Sequence, residues 1–252
     1  MKLVFIIDPI NRLDPTHDSS VALMEAAQLM GHQVGITSAE RLTVIDGKAW
    51  ATVTPVDLEP VTLAGDRWIA VDPWFTLGES SFLPLEECDA VWLRTDPPVT
   101  TAYLYATYLL DYVDPAKTLV LNSMAGIRSA NEKMYALNFR SVIPETIVSQ
   151  DKAVIRDFVE RRGKAVMKPL GGKAGEGILF LKDGDSNFNS MVEISTHQGT
   201  LPVMVQQFLP EAAQGDKRVI LLDGEPVGAV NRIPTGSVFG GSMAVVGRVA
   251  KV

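Results

Sequence analysis

The chain has 252 residues, with 23 basic and 30 acidic side chains, a net charge of −7 and 46% hydrophobic content. That is the composition of a soluble globular protein, long enough for two domains of about 100–200 residues each. The acidic balance offers nucleic acid or an anionic membrane no electrostatic hold, and no apolar run reaches the roughly 20 residues that span a bilayer. A single cysteine, Cys88, excludes an internal disulfide framework and fits a reducing cytoplasm. It follows Glu86 and Glu87, surroundings that do not activate a thiol. His17, His32 and His197 are scattered without ligand spacing, so no metal ligand is assigned among them.

The first half alternates strand and helix. Residues 3–7 are an apolar run stopped by Asp8-Pro9, a first strand rather than a signal peptide. Asp18-Ser19-Ser20 supplies an N-cap for a helix reaching about Met30 and closed by Gly31. A strand at 34–36 follows, then 42–45, Asp46-Gly47 and 49–53 form a hairpin on an Asp-Gly turn. Further strands are expected at 67–71 and 90–94. The second leaves through Arg94-Thr95-Asp96-Pro97-Pro98, where the prolines enforce an extended exit. An apolar helix at 103–112 and a short strand at 119–121 complete this half. Such alternation predicts a mostly parallel open sheet, whose ligands bind beyond the carboxyl ends of its strands. Asp8, Arg94, Asp96 and Asn122 fall at those ends.

Near residue 123 the pattern becomes α+β, which divides the chain into domains 1–122 and 123–252. A helix is expected at 130–139, with Asn131-Glu132-Lys133 in its first turn, and a strand at 145–148. A helix at 151–161 takes Asp151 as its N-cap, and a further helix lies near 190–197. Residues 203–208 read as a strand, and 217–222, Asp223-Gly224 and 225–231 as an antiparallel hairpin.

Between the expected helices at 151–161 and 190–197 lies a glycine-rich run, Lys168-Pro169-Leu170-Gly171-Gly172-Lys173-Ala174-Gly175-Glu176-Gly177. Apolar stretches flank it, 165–167 and 178–181, so it reads as a β-hairpin with a long tip. Its glycines, Gly171, Gly172, Gly175 and Gly177, allow backbone N–H groups close to an anion, and Lys168 adds a charge. The run has neither the order of a Walker A loop nor the following helix of a dinucleotide fingerprint. Taken alone it reads first as a plain mobile hairpin with turn glycines. Lys133, Lys168, Arg218 and Arg232, on separate elements, suit a polyphosphate together, although each singly is an ordinary surface charge. Gln206-Gln207-Phe208-Leu209, where a strand leaves the core, suits an adenine ring or is an edge strand with no ligand.

The order of Asp96-Pro97-Pro98, Asn131-Glu132-Lys133, Lys168-Pro169-Leu170-Gly171-Gly172, Gln206-Gln207-Phe208-Leu209-Pro210, Gly215-Asp216-Lys217-Arg218, Asp223-Gly224-Glu225-Pro226 and Arg232-Ile233-Pro234 resembles prokaryotic glutathione synthetase, an ATP-grasp ligase family, across essentially the whole chain. The resemblance implies an α/β protein, with a Rossmann-like, pre-ATP-grasp open parallel sheet followed by an α+β ATP-grasp domain. It implies ligation of γ-glutamylcysteine to glycine with ATP and magnesium, through an acyl phosphate, in the cytoplasm, and leaves homo-oligomer formation open. By position, Lys133 and Lys168 would hold ATP phosphates under the 171–177 loop, and Gln206 to Leu209 would line the adenine slot. Arg218 and Arg232 would stabilise the transferred phosphoryl group. Arg94 and Asp96 would meet the peptide substrate.

The chain departs from that pattern twice. In the lid segment 235–248, Gly240, Ser242 and Val246 stand where the family carries arginine, asparagine and glycine. No acidic residue follows Glu225, so the magnesium ligands are expected beyond residue 252 and the ATP-grasp domain reads as incomplete. Two alternatives accompany the leading reading: a non-catalytic nucleotide- or peptide-binding remnant, and another ATP-grasp carboxylate–amine ligase.

Overall fold

The computed structural model describes residues 1–65, 67–130, 133–171, 176–233 and 248–251. The chain divides into two compact units, Met1–Asn131 and Glu132–Val252. The first contains β1 (Lys2–Ile6), α1 (Ser19–Leu29), β2 (Gln33–Thr37), β3 (Leu42–Ile45), β4 (Lys48–Leu58), β5 (Thr62–Ala64), β6 (Arg67–Ile69), β7 (Phe75–Leu77), β8 (Ser81–Pro84), β9 (Ala90–Leu93), α2 (Thr101–Leu110), β10 (Leu119–Leu121) and α3 (Met124–Ser129).

Its main sheet runs β10-β9-β1-β2-β4-β3, with β7 and β8 also paired to β4. The strands from β10 to β2 are parallel, and β4 adds antiparallel to β2. The apolar run of β1 is explained by burial on both faces, as parallel strands require. Leu3 and Phe5 pack with Val21 and Met24 of α1, while Val4 and Ile6 pack with Ala106 and Leu110 of α2 and Met124 of α3. The Asp18 carboxylate accepts from the N–H groups of Ser20 and Val21, which fixes the start of α1. Asp46 and Gly47 take φ of 49° and 74°, the left-handed pair that a type I′ hairpin turn demands.

The sequence pattern does not reveal β5, β7 or β8. They are three or four residues long and mostly exposed, so they show no alternation, and β7 and β8 exist by pairing with the long β4. The helix expected at 130–139 is also different. The Ser123 hydroxyl accepts from the Gly126 N–H and starts α3 early, and α3 ends at Ser129 with Ala130 as its C-cap. Residues Lys133–Phe139 then form a 3-10 helix.

The second unit contains β11 (Thr146–Ser149), α4 (Lys152–Arg162), β12 (Lys164–Pro169), β13 (Leu179–Lys182), α5 (Phe188–Ser195), β14 (Val203–Gln207), β15 (Asp216–Leu222), β16 (Glu225–Ile233) and β17 (Arg248–Lys251). One sheet has the order β11-β14-β12-β13, all antiparallel. A second has the order β15-β16-β17. Asp151 caps α4 by accepting from Ala153 and Val154, as the sequence implies. Helices α4 and α5 cover one face of the four-stranded sheet through Ile155, Phe158, Val159, Phe188 and Val192.

Phe158 is fully buried at the centre of that core. Replacing it by alanine is expected to destabilise the unit by about 3–5 kcal/mol in denaturant unfolding. The exposed Val154→Ala on the same helix should stay within about 0.5 kcal/mol of the parent. Equal effects would show that the α4 core does not hold the unit together.

Candidate functional site

Strand periodicity builds the site. In β11-β14-β12-β13 the cross-strand register puts Ile147, Ala165, Met167, Leu179, Leu181, Val203 and Val205 on the face covered by α4 and α5. The alternate residues, Thr146, Val166, Lys168, Phe180, Met204 and Gln206, therefore share the opposite face. On it the Lys168 ammonium donates to Gln206 Oε1 at 2.6 Å. Gln206 Nε2 in turn donates to Thr146 Oγ1 at 2.9 Å. Phe208, two residues after Gln206, sets its ring edge-on to Phe180 with centroids 5.1 Å apart. A cation, an amide and an apolar aromatic wall thus meet on one surface.

Lys133, the first residue of the 3-10 helix, donates from Nζ to the Leu170 carbonyl at 3.2 Å. Burial pushes the Lys168 ammonium below the ordinary lysine range, and the charge of Lys133 pushes it further the same way. Two cations held close in a partly dry place are suited to a polyanion, which relieves both penalties.

The glycine loop is described at its two ends. An added Cβ at Gly171 would meet nothing within 4 Å. Gly177 has φ +69°, and a Cβ there would sit 2.8 Å from Pro169 Cγ, so that position needs glycine. Gly172 and Gly175 lie outside the described residues, as do the lid positions Gly240, Ser242 and Val246.

The remaining candidates are distributed differently. Gln207 falls on the opposite strand parity from Gln206, is exposed, and joins the sheet by donating its N–H to the Glu145 carbonyl at 2.9 Å. Leu209 is half-exposed at the start of a 3-10 turn. β14 lies between β11 and β12, so this segment is no edge strand. Arg218 and Arg232 share one face of the β15–β16 ribbon, where register sets Asp216 opposite Arg232. Arg232 Nε donates to Asp216 Oδ2 at 2.9 Å, and its Nη2 bonds the same oxygen. Arg218 is exposed.

In the first unit, Arg94 stands at the carboxyl end of β9 and donates from Nε to Ser20 Oγ at 3.1 Å and from Nη2 to Ser19 Oγ at 2.8 Å. The Asp96 N–H donates to Asp8 Oδ2 at 3.0 Å. Burial pushes the Tyr103 phenol up while the nearby Arg94 charge opposes this. The ends of β1 and β9 and the start of α1 thus form one polar cluster. Sequence reasoning missed the serines' second role and that of Thr146, because each depends on a contact with another part of the chain.

Cys88 is buried and its thiol is pushed up, chiefly by that burial, consistent with an inert residue. Among the described residues no group of three or more His, Cys, Asp or Glu is placed to hold a metal ion. None of the described helices is long and apolar enough to cross a membrane.

Comparison with known proteins bears on both units. Residues 1–128 match the family model of the prokaryotic glutathione synthetase N-terminal domain. Residues 132–252 match that of the prokaryotic glutathione synthetase ATP-grasp domain. A glutathione synthetase of Nostoc sp. is 65% identical over 100% of this chain and 78% of its own length. One from Thermosynechococcus vestitus is 62% identical over 99% of this chain and 79% of its own. Among solved structures, the fold is similar to D-cycloserine synthetase DcsG, at a TM-score of 0.61 and 16% identity over 99% of this chain and 75% of that one.

The lysine pair generates a pH prediction. Affinity for a polyphosphate anion should fall as pH rises through the Lys168 pKa, because the neutral amine no longer attracts it. That fall should begin below the range of an ordinary lysine. Lys133→Met removes a like charge, so it should weaken binding yet move the fall to higher pH, as calorimetric titrations across pH would record. An unmoved midpoint would contradict the coupling of the two lysines.

Proposed function

The chain belongs to the prokaryotic glutathione synthetase family, and from that membership we propose that it joins γ-glutamylcysteine to glycine at the expense of ATP. It is an ATP-dependent carboxylate–amine ligase. The observation that carries the site assignment is the lysine–glutamine–aromatic surface of the second unit, where Lys168, Gln206, Phe180 and Phe208 share one face.

ATP enters this reading as a substrate. Its adenine lies against Phe180 and Phe208 beside the 206–209 segment, and its phosphates meet Lys133 and Lys168. The glycines of the 171–177 run are assigned to let backbone N–H groups approach the phosphates. The C-terminal carboxylate of γ-glutamylcysteine attacks the γ-phosphorus, forming an acyl phosphate and releasing ADP. The glycine amine then attacks the acyl carbon, loses a proton to solvent, and expels inorganic phosphate. No side chain becomes covalently attached, which suits a chain whose thiol is buried. Positioning and charge neutralisation do the catalytic work.

Arg218 and Arg232 are assigned to the phosphoryl group in transit, with Asp216 orienting Arg232. Arg94, held by Ser19 and Ser20, and Asp96 are assigned to the peptide. The family uses magnesium, which when bound to ATP would draw the phosphate charges together. Among the described residues no group of carboxylates is placed to hold it. The chain acts on small-molecule substrates in a cytoplasmic setting, which its single buried cysteine supports.

Phosphate release measured over a panel of acids and amines tests this. Release that requires both γ-glutamylcysteine and glycine is expected. Release with a different acid, and none with this pair, would overturn the substrate assignment in favour of another carboxylate–amine ligase. Arg218→Met should lower kcat by about 10²-fold or more, with a smaller change in the KM for ATP. An unchanged kcat would remove Arg218 from the reaction.

A further inference from the structure

We propose that Thr146 is a positioning residue for the nucleotide site: its hydroxyl holds the Gln206 side-chain amide in the single orientation that presents Oε1 to Lys168. The proposal rests on the reading of Lys168 as a ligand of ATP.

Hydrogen-bond polarity fixes that orientation. Thr146 on β11 stands directly opposite Gln206 on β14. The Thr146 hydroxyl donates its only proton to the Pro144 carbonyl at 2.7 Å, a group that can only accept. Toward Gln206 that hydroxyl can therefore only accept, and it takes a proton from Nε2 at 2.9 Å. The other end of the amide, Oε1, is thereby turned to Lys168, whose ammonium can only donate and does so at 2.6 Å. Carbonyl, hydroxyl, amide and ammonium form a chain with one polarity throughout. Reversing the amide would set two donors against each other at Lys168 and leave the Thr146 oxygen without its donor.

The surroundings give the chain its effect. Gln206 is only 8% exposed, so a misdirected amide has little water to turn to. Lys168 is a long side chain with many rotamers, and the bond to Gln206 orders it before any ligand arrives. An ammonium has three N–H donors; Gln206 takes one and leaves two for phosphate oxygens. Thr146 thus acts two residues away from the ligand, through Gln206, and needs no contact with ATP itself.

The test is a double-mutant cycle on the ATP dissociation constant, measured by calorimetry on the full chain. Thr146→Val should weaken ATP binding about three- to tenfold, and Thr146→Ser, which keeps the hydroxyl, should restore it. In a Gln206→Leu background Thr146→Val should have no further effect. An unchanged affinity for Thr146→Val, or an equal loss in the Gln206→Leu background, would overturn the proposal. Unfolding temperatures check that β11 survives each change, and Thr146→Ala gives the same reading should valine disturb the strand. Lys168→Met distinguishes the role of Lys168 from that of Thr146. If it leaves ATP binding intact, the site assignment fails; if it weakens binding while Thr146→Val does not, only the role of Thr146 fails.

Discussion

The candidate site depends on the pairing of β14 between β11 and β12. A strand repeats every two residues, so one backbone can serve a dry core and a ligand surface at the same time. Here the odd-numbered residues of β12 and β14, Ala165, Met167, Val203 and Val205, are in contact with the α4–α5 core. The even-numbered residues, Lys168 and Gln206, are thereby committed to the other side. A slip of one residue would drive Lys168 into Phe158 and expose Met167, so the apolar core fixes the register of the polar face. Folding energy and site geometry are two consequences of the same alternation.

That arrangement keeps unfavourable electrostatics in the folded chain. Lys168 is partly removed from water and is close enough to Lys133 for their charges to oppose each other. An isolated protein would be better served by a single exposed lysine. The Gln206 oxygen and the Leu170 carbonyl offset part of the cost by accepting from the two ammonium groups. An anion bound beside the two lysines would lower that cost further, which would couple ligand binding to the relief of this tension. In the other unit, Arg94 meets neutral serine hydroxyls, which hold the guanidinium in place without neutralising its charge.

Local chemistry was legible in the sequence wherever one short segment decides its own conformation. The Asp18 and Asp151 caps, the Asp46-Gly47 and Asp223-Gly224 turns, the apolar strand β1 and the glycine-loop hairpin all belong to this group. Family membership was legible through the order of motifs along the chain. Features set by distant partners were not. Short strands β7 and β8 are held by β4 and carry no period of their own. The Asp216–Arg232 pair exists because a hairpin register sets them face to face. Thr146 looked like an ordinary strand residue because the amide it holds lies sixty positions along the chain. Ser19 and Ser20 were visible as part of a cap, while their grip on Arg94 required β9 to lie beside β1.

The central claim is that one face of the β11-β14-β12-β13 sheet receives ATP. A crystal structure of the chain with a non-hydrolysable ATP analogue tests it most directly. The adenine should lie beside Phe180, Phe208 and Gln206, with phosphate oxygens within hydrogen-bonding reach of Lys133 and Lys168. An analogue bound only to the first unit, or one whose phosphates lie away from both lysines, would contradict the account.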